Sequence, residues 1–252
     1  MLKVRVIPCM LFNGFHLVKT VAFGQMRTIG NPVQTARIYN KRNVDELIFI
    51  DITASQDQRP PMFDVIRDIF KECFMPLSVG GGIHAITTVD RLMKIGADKI
   101  IINSEAIRNP DFVTQVAKKY GSQSVVVSID AKKQGKAHWV CTERGEENTG
   151  MVAEEWAKKV AKLGAGEIFL NSIDRDGTMQ GYDLDLISKV GKTVSIPVIA
   201  CGGAGSSSQV VEAVKSGEAA AVSLASLFHY TQTTPDNVKA ALHEAGVPVR
   251  LT

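Results

Sequence analysis

Eight short apolar runs, each five to seven residues long and rich in Val and Ile, recur along the whole chain. They are V-R-V-I-P-C (4–9), E-L-I-F-I-D (46–51), P-L-S-V-G (76–80), D-K-I-I-I-N (98–103), S-V-V-V-S-I-D (124–130), E-I-F-L-N (167–171), P-V-I-A-C (197–201) and A-A-V-S-L (220–224). Apolar and polar residues barely alternate within them, which is the pattern of parallel strands buried on both faces. Parallel neighbours need crossovers, and amphipathic stretches fill the intervals. In 62–74 the residues Met62, Phe63, Val65, Ile66, Ile69, Phe70, Cys73 and Phe74 follow helical spacing, as do Val152, Trp156, Val160 and Leu163 in 151–163. Asn31-Pro32, Asn109-Pro110 and Thr234-Pro235 each set a capping side chain before a proline at a first helical position. Eight such units without a linker predict an α/β chain folded as a (β/α)₈ TIM barrel, with 1–252 as one domain. A doubly wound open sheet is the alternative, and the lack of a G-x-G-x-x-G after the first run argues against it.

The chain also repeats itself. Pro76-Leu-Ser-Val-Gly-Gly-Gly82 matches Pro197-Val-Ile-Ala-Cys-Gly-Gly203, a shift of 121 residues (197 − 76). The same shift carries Glu46 onto Glu167 and Gly96 onto Gly217. This implies two half-barrels, about 1–121 and 122–252, with a small hairpin insertion at about 131–150. A two-residue slip in the first strands sets Leu11 opposite Asp130, so one half presents a carboxylate where the other presents a leucine.

Composition narrows the function classes. A net charge of +3 gives no concentrated basic stripe, so no nucleic-acid partner is expected. No run reaches the length of a membrane span, and the first residues, broken by Lys3, Arg5 and Pro8, form no signal peptide, so no membrane partner is expected. The four cysteines include no C-x-x-C pair and have no adjoining His cluster. That disfavours a disulfide framework or a zinc site, suits a reducing cytoplasm, and leaves no metal or nucleotide cofactor expected.

In such a barrel chemistry gathers at the carboxyl ends of the strands. Gly81 and Gly82, with Asn103 and Ser104, would close backbone N–H groups on one phosphate; Gly202 and Gly203, with Gly177, Ala225 and Ser226, would hold a second. Each glycine turn alone also suits tight strand-helix packing. Two anion sites on opposite rims call for an elongated, phosphorylated small molecule. Asp130 closes a run of buried β-branched residues, where desolvation raises a carboxyl toward general-base range. Asp51, Asn171 and Asp176 come after other strands, and each acid either binds a ligand hydroxyl or accepts backbone donors. Lys19 lies in a long glycine-containing segment, G-F-H-L-V-K-T-V-A-F-G-Q-M-R-T-I-G, of the kind that often forms a lid. At the opposite end Arg5, Glu46, Lys99 and Glu167 each start an apolar strand. From the residues alone they read as an ion-pair ring that stabilises the lower face.

The words R-V-I-P-C, D-E-L-I-F-I-D-I-T-A-S, V-G-G-G-I, G-A-D-K-I-I-I-N-S, S-I-D-A-K, S-I-D-R-D-G-T, G-Y-D, I-A-C-G-G-A-G and F-H-Y, in this order, resemble the cyclase subunit of imidazole glycerol phosphate synthase over nearly the whole chain. The resemblance implies a barrel that takes ammonia from a separate glutaminase subunit in a heterodimer. It implies that Arg5, Glu46, Lys99 and Glu167 gate that ammonia and that Asp98 faces the glutaminase. It also implies two catalytic aspartates, one after the first strand and one after the fifth. Asp130 matches the second, and Leu11 stands in place of the first. Asn171 and Cys201 replace residues that usually carry hydroxyls, and Lys19-Thr20 replaces the usual Lys-Gly. This combination resembles a divergent branch associated with acetamidino modification of surface-polysaccharide sugars, where a sugar amidotransferase is a further partner. The expected function is thus an ammonia-using synthase subunit with altered chemistry. The alternatives are an ordinary histidine-pathway cyclase and a non-catalytic scaffold that activates a glutaminase.

Overall fold

The computed structural model describes residues 3–251. Its strands, in chain order, are β1 (Arg5–Phe12), β2 (Leu17–Lys19), β3 (Arg27–Gly30), β4 (Leu47–Asp51), β5 (Leu77–Gly80), β6 (Lys99–Ile102), β7 (Val125–Gln134), β8 (Ala137–Thr142), β9 (Glu147–Val152), β10 (Glu167–Ser172), β11 (Val198–Cys201) and β12 (Ala221–Leu224). Eight of them coincide with the predicted runs. They pair in parallel in the order β1-β4-β5-β6-β7-β10-β11-β12, and β12 returns to β1, so the sheet closes as the sequence pattern requires. The chain is therefore a (β/α)₈ barrel.

The helices are α1 (Pro32–Asn40), α2 (Phe63–Glu72), α3 (Ile86–Ile95), α4 (Ser104–Arg108), α5 (Asp111–Tyr120), α6 (Ala153–Leu163), α7 (Leu184–Gly191), α8 (Ser207–Lys215), α9 (Ser226–Tyr230) and α10 (Pro235–Glu244). Two of the three expected caps form. The Asn31 side chain accepts from the N–H groups of Val33 and Gln34, and Thr234 builds a reciprocal capping box with Asn237. Asn109 does not cap α5: it ends α4, Pro110 takes the cap position, and no side-chain bond is made. Asn109 closes α4 instead, its N–H donating to the Glu105 carbonyl at 2.8 Å.

Burial tracks the two faces of each strand. Ile7, Ile48, Ile101, Val126, Phe169 and Ile199 fill the barrel interior, while the outer faces pack against the helices through residues such as Ile66, Ile69, Val89, Trp156 and Val210. Each such buried side chain contributes roughly 1.5–3 kcal/mol of hydrophobic stabilisation. Phe74, expected on the buried face of α2, lies past the helix end and is 89% exposed.

The internal repeat is a structural one. Applying the 121-residue shift to β5 lands on β11 residue for residue, and α3 and α8 begin at equivalent positions. The strand register also fixes the slip between β1 and β7. Leu11 pairs with Ile50 and Asp130 pairs with Asn171, and Ile50 and Asn171 are themselves 121 residues apart. Leu11 and Asp130 are therefore equivalent positions of the two halves.

Three stretches are more ordered than expected. β1 runs past Cys9 to Phe12, so Leu11 belongs to the strand rather than to the loop after it. The segment read as a lid is an antiparallel hairpin, β2 with β3, and β2 also pairs with β1. The insertion is larger than one hairpin: β7 continues to Gln134, and β8 and β9 add to it as a three-stranded antiparallel extension. Among the described residues no helix is long and apolar enough to cross a membrane.

Candidate active site

The carboxyl ends of the barrel strands surround a cavity of about 710 Å³. It brings together every cleft residue nominated from the sequence. Lys19, Asp51, Asp130, Asn171 and Asp176 line it, and so do Gly81, Gly82, Asn103, Ser104, Gly177, Gly202, Gly203, Ala225 and Ser226. Leu11 also lines this cavity, beside its strand partner Ile50 and against the inner core cluster.

Asp130 occupies β7 well before its end, with β10 on one side and β8 on the other. Burial pushes its carboxyl up to about 7, against hydrogen bonds from Asn103 and Asn171 that favour the charged form, with the nearby Asp176 charge adding to the rise. Asn103 Nδ2 donates to Asp130 Oδ2 at 2.7 Å. A carboxyl poised near neutrality serves as either acid or base at physiological pH. The Oδ1 atom of Asn171 is buried without a hydrogen-bond partner in the same region, as is the Ser223 hydroxyl. Buried polar atoms of this kind are normally satisfied, so the Asn171 oxygen stands ready for a ligand group, whereas the Ser223 hydroxyl has the Cys9 and Cys201 thiols beside it. The neighbouring thiols are less reactive: burial pushes Cys9 up to about 12 and holds Cys201 well above its ordinary range.

Asp176 is held differently. Thr20 Oγ1 donates to its Oδ2 at 2.9 Å, and Lys19 Nζ stands 3.5 Å from its Oδ1. Lys19 is only 4% exposed, so it is a buried partner of Asp176 and not a solvated lysine on a loose segment. The N–H of Ala22 donates to the Asp176 carbonyl oxygen at 2.8 Å, which pins the β2–β3 turn to the loop after β10.

Asp51 has a partner that the sequence reading missed. Arg59 grips it through Nη1–Oδ2 at 2.6 Å and Nη2–Oδ1 at 2.9 Å, and the same Nη2 reaches Thr53 Oγ1 at 2.7 Å. Arg59 stands in a polar turn, Q-D-Q-R-P-P, with no period or motif to single it out. Arg108 and Arg144 likewise line the cavity. Arg108 pairs with Glu143 at 2.5 Å, and Arg144 reaches Gln56 at 3.3 Å, so the insertion is tied across the mouth to the end of α4 and to the loop after β4.

The glycine turns carry a packing requirement of their own. A Cβ at Gly81 would overlap the Asp51 carbonyl oxygen, and one at Gly203 would overlap that of Gly181; both residues have positive φ. Glycine is needed at these two positions whether or not an anion binds. What favours an anion is the pair of short helices beyond each turn. Neither Asn103 before α4 nor Ala225 before α9 supplies a side-chain cap, and the Asn103 side chain is committed to Asp130 instead. The first N–H groups of both helices are thus left to the cavity side.

At the amino-terminal mouth the four charges close into a ring. Arg5 pairs with Glu46 at 2.7 Å and Glu167 at 2.8 Å, while Lys99 pairs with each at 2.9 Å. Ser78 Oγ adds a hydrogen bond to Glu46 at 2.6 Å. Asp98 is exposed beside this ring, and its Oδ2 accepts from the Leu77 N–H at 2.8 Å.

A family model described as histidine biosynthesis protein matches residues 5–234, which spans all eight barrel strands.

Proposed function

The chain belongs to the histidine biosynthesis protein family, and from that premise we propose that it is the ammonia-using synthase subunit of a glutamine amidotransferase pair whose ring-closing chemistry has been altered. The observation that carries the reading is the half-barrel equivalence of Leu11 and Asp130 at the cavity wall. A barrel of the cyclase type uses an aspartate at both positions, one as acid and one as base, and a leucine can neither give nor take a proton. Losing one of two cooperating acid–base groups typically costs 10² or more in rate.

The rest of the site supports a phosphorylated substrate. The cavity has uncapped short-helix N-termini on both halves and Asp130 at its wall, as an elongated ligand with two anionic ends requires. Asp130 acts on the group between those ends, Asn103 and Asn171 orient its carboxyl, and Lys19 keeps Asp176 in place. At the far end the closed ring of Arg5, Glu46, Lys99 and Glu167 admits ammonia from a glutaminase seated on the face that carries Asp98. The ammonia is then spent on a phosphorylated intermediate or passed toward amidination of a surface-polysaccharide sugar.

An ordinary cyclase is the competing reading. Asp51 and Asp176 favour it, as further carboxylates in the same cavity as Asp130. Ammonia-dependent turnover of the imidazole glycerol phosphate synthase substrate separates the two. The divergent reading expects the natural chain to run at least ~10²-fold below Leu11→Asp. Full turnover by the natural chain, with no gain on restoring the aspartate, refutes it.

A further inference from the structure

Away from the cavity, β8 and the start of α7 bring a histidine onto a pair of aspartates from a distant stretch of the chain. His138, on β8 of the insertion, is fully buried. Its Nε2 lies 3.0 Å from Asp183 Oδ2, a residue 45 positions on. Asp183 caps α7 with its other oxygen, which accepts from the Leu186 N–H at 3.0 Å. Both oxygens of Asp183 are therefore engaged, and its carboxylate fixes His138 with the proton on Nε2. That leaves the Nδ1 lone pair outward, and Nδ1 is buried with no hydrogen-bond partner. The atom it faces is Asp185 Oδ2, 4.0 Å away, too far for a hydrogen bond.

We propose that His138, Asp183 and Asp185 form a binding site for a borderline divalent cation of the zinc and nickel class. His138 Nδ1 and an Asp185 oxygen are the direct ligands, Asp183 orients the imidazole, and water completes the shell. A carboxylate that holds the distal N–H of a ligating histidine is the usual support of such a site. Zinc–nitrogen and zinc–oxygen bonds of roughly 2.0–2.2 Å at a tetrahedral angle set the two ligand atoms about 3.4 Å apart. Asp185 is half exposed, and a small side-chain rotation closes the difference. A cation already visits this place: Lys189 Nζ lies 2.8 Å from Asp185 Oδ2 and 3.1 Å from the Lys136 carbonyl oxygen. The ammonium is spent on Asp185 and the Lys136 carbonyl and leaves Nδ1 without a hydrogen bond, whereas an imidazole-seeking metal binds that atom directly. The ion would staple the insertion to α7. The site is independent of the proposed ammonia chemistry and stands or falls apart from it.

Zinc titration of the chelator-treated full-length protein against a chromophoric chelator tests this. The natural chain binds one equivalent more than His138→Phe, in which any zinc held by the thiols remains. Asp183→Asn weakens the bound equivalent about 10–100-fold, as loss of an orienting carboxylate does. Lys189→Ala tightens it, because the competing ammonium is gone, and a gain of affinity cannot arise from misfolding. Excess Mg²⁺ does not displace the zinc. Equal stoichiometry in the natural chain and His138→Phe overturns the proposal, as does an unchanged or weakened site in Lys189→Ala.

Discussion

Replacing Asp130 with asparagine stabilises the barrel, and the size of the effect depends on pH. The folded chain releases the Asp130 proton near pH 7, and the unfolded chain releases it near 3.8. Between those values the folded state holds more protons, so this group's contribution to stability falls as pH rises through the window and is fully adverse above it. At ~1.4 kcal/mol per pH unit the penalty reaches ~4 kcal/mol above neutrality and is below ~2 kcal/mol at pH 5. Asparagine removes the charge and keeps a carbonyl that accepts from Asn103. The amide brings two buried N–H donors in place of the acid's single O–H, and a donor left unmet costs ~2 kcal/mol at either pH. The net gain is then ~2 kcal/mol at pH 8.5 and near zero at pH 5. For a chain of this size that is a rise in Tm of ~4–8 °C at the higher pH. Calorimetric melts of the two proteins at both values measure it. The same difference at pH 5 and 8.5, or a less stable asparagine variant at pH 8.5, would show that Asp130 is not held in a desolvated setting. Activity should move the other way, with a loss of at least ~10²-fold.

Arg59→Leu strands Asp51, whose side chain has no exposure of its own, and should cost ~3–5 kcal/mol in urea denaturation. The double change Arg59→Leu with Asp51→Leu should recover most of that loss; if it does not, the pair is not what Arg59 stabilises. Gly81→Ala forces a Cβ onto the Asp51 carbonyl at positive φ and should destabilise by more than ~2 kcal/mol, while Gly135→Ala, also at positive φ but in open space, should cost ~1 kcal/mol by the same measurement.

How much of this was legible in the sequence depended on whether a local pattern reported it. The eight barrel strands were visible because burial on both faces removes polar residues from a contiguous run, and their predicted limits fall within a residue or two of the observed ones except in β1 and β7. Those two outrun their apolar cores because each pairs with an antiparallel neighbour, β2 and β8, that carries no strong signal of its own. The cavity residues were legible as the positions at or just past each strand end, a rule that holds because barrel geometry points all those ends one way. Arg59, Arg108 and Arg144 escaped it, since they reach the cavity from mid-loop or from a helix end. The contact between His138 and Asp183 joins an inserted strand to a distant helix cap, and nothing in either local stretch announces it.

Asp130 is anchored on both flanks, by Asn171 on one strand and Cys141 on the next, in the middle of a ten-residue strand. A reactive group on a mobile loop can be re-aimed by lengthening or bending its tether. This one cannot, because shifting it by a single position would turn it to the opposite face and unzip two ladders at once. Any change in what the cup transforms has to come from swapping the furniture around a fixed post, and Leu11 is one such swap.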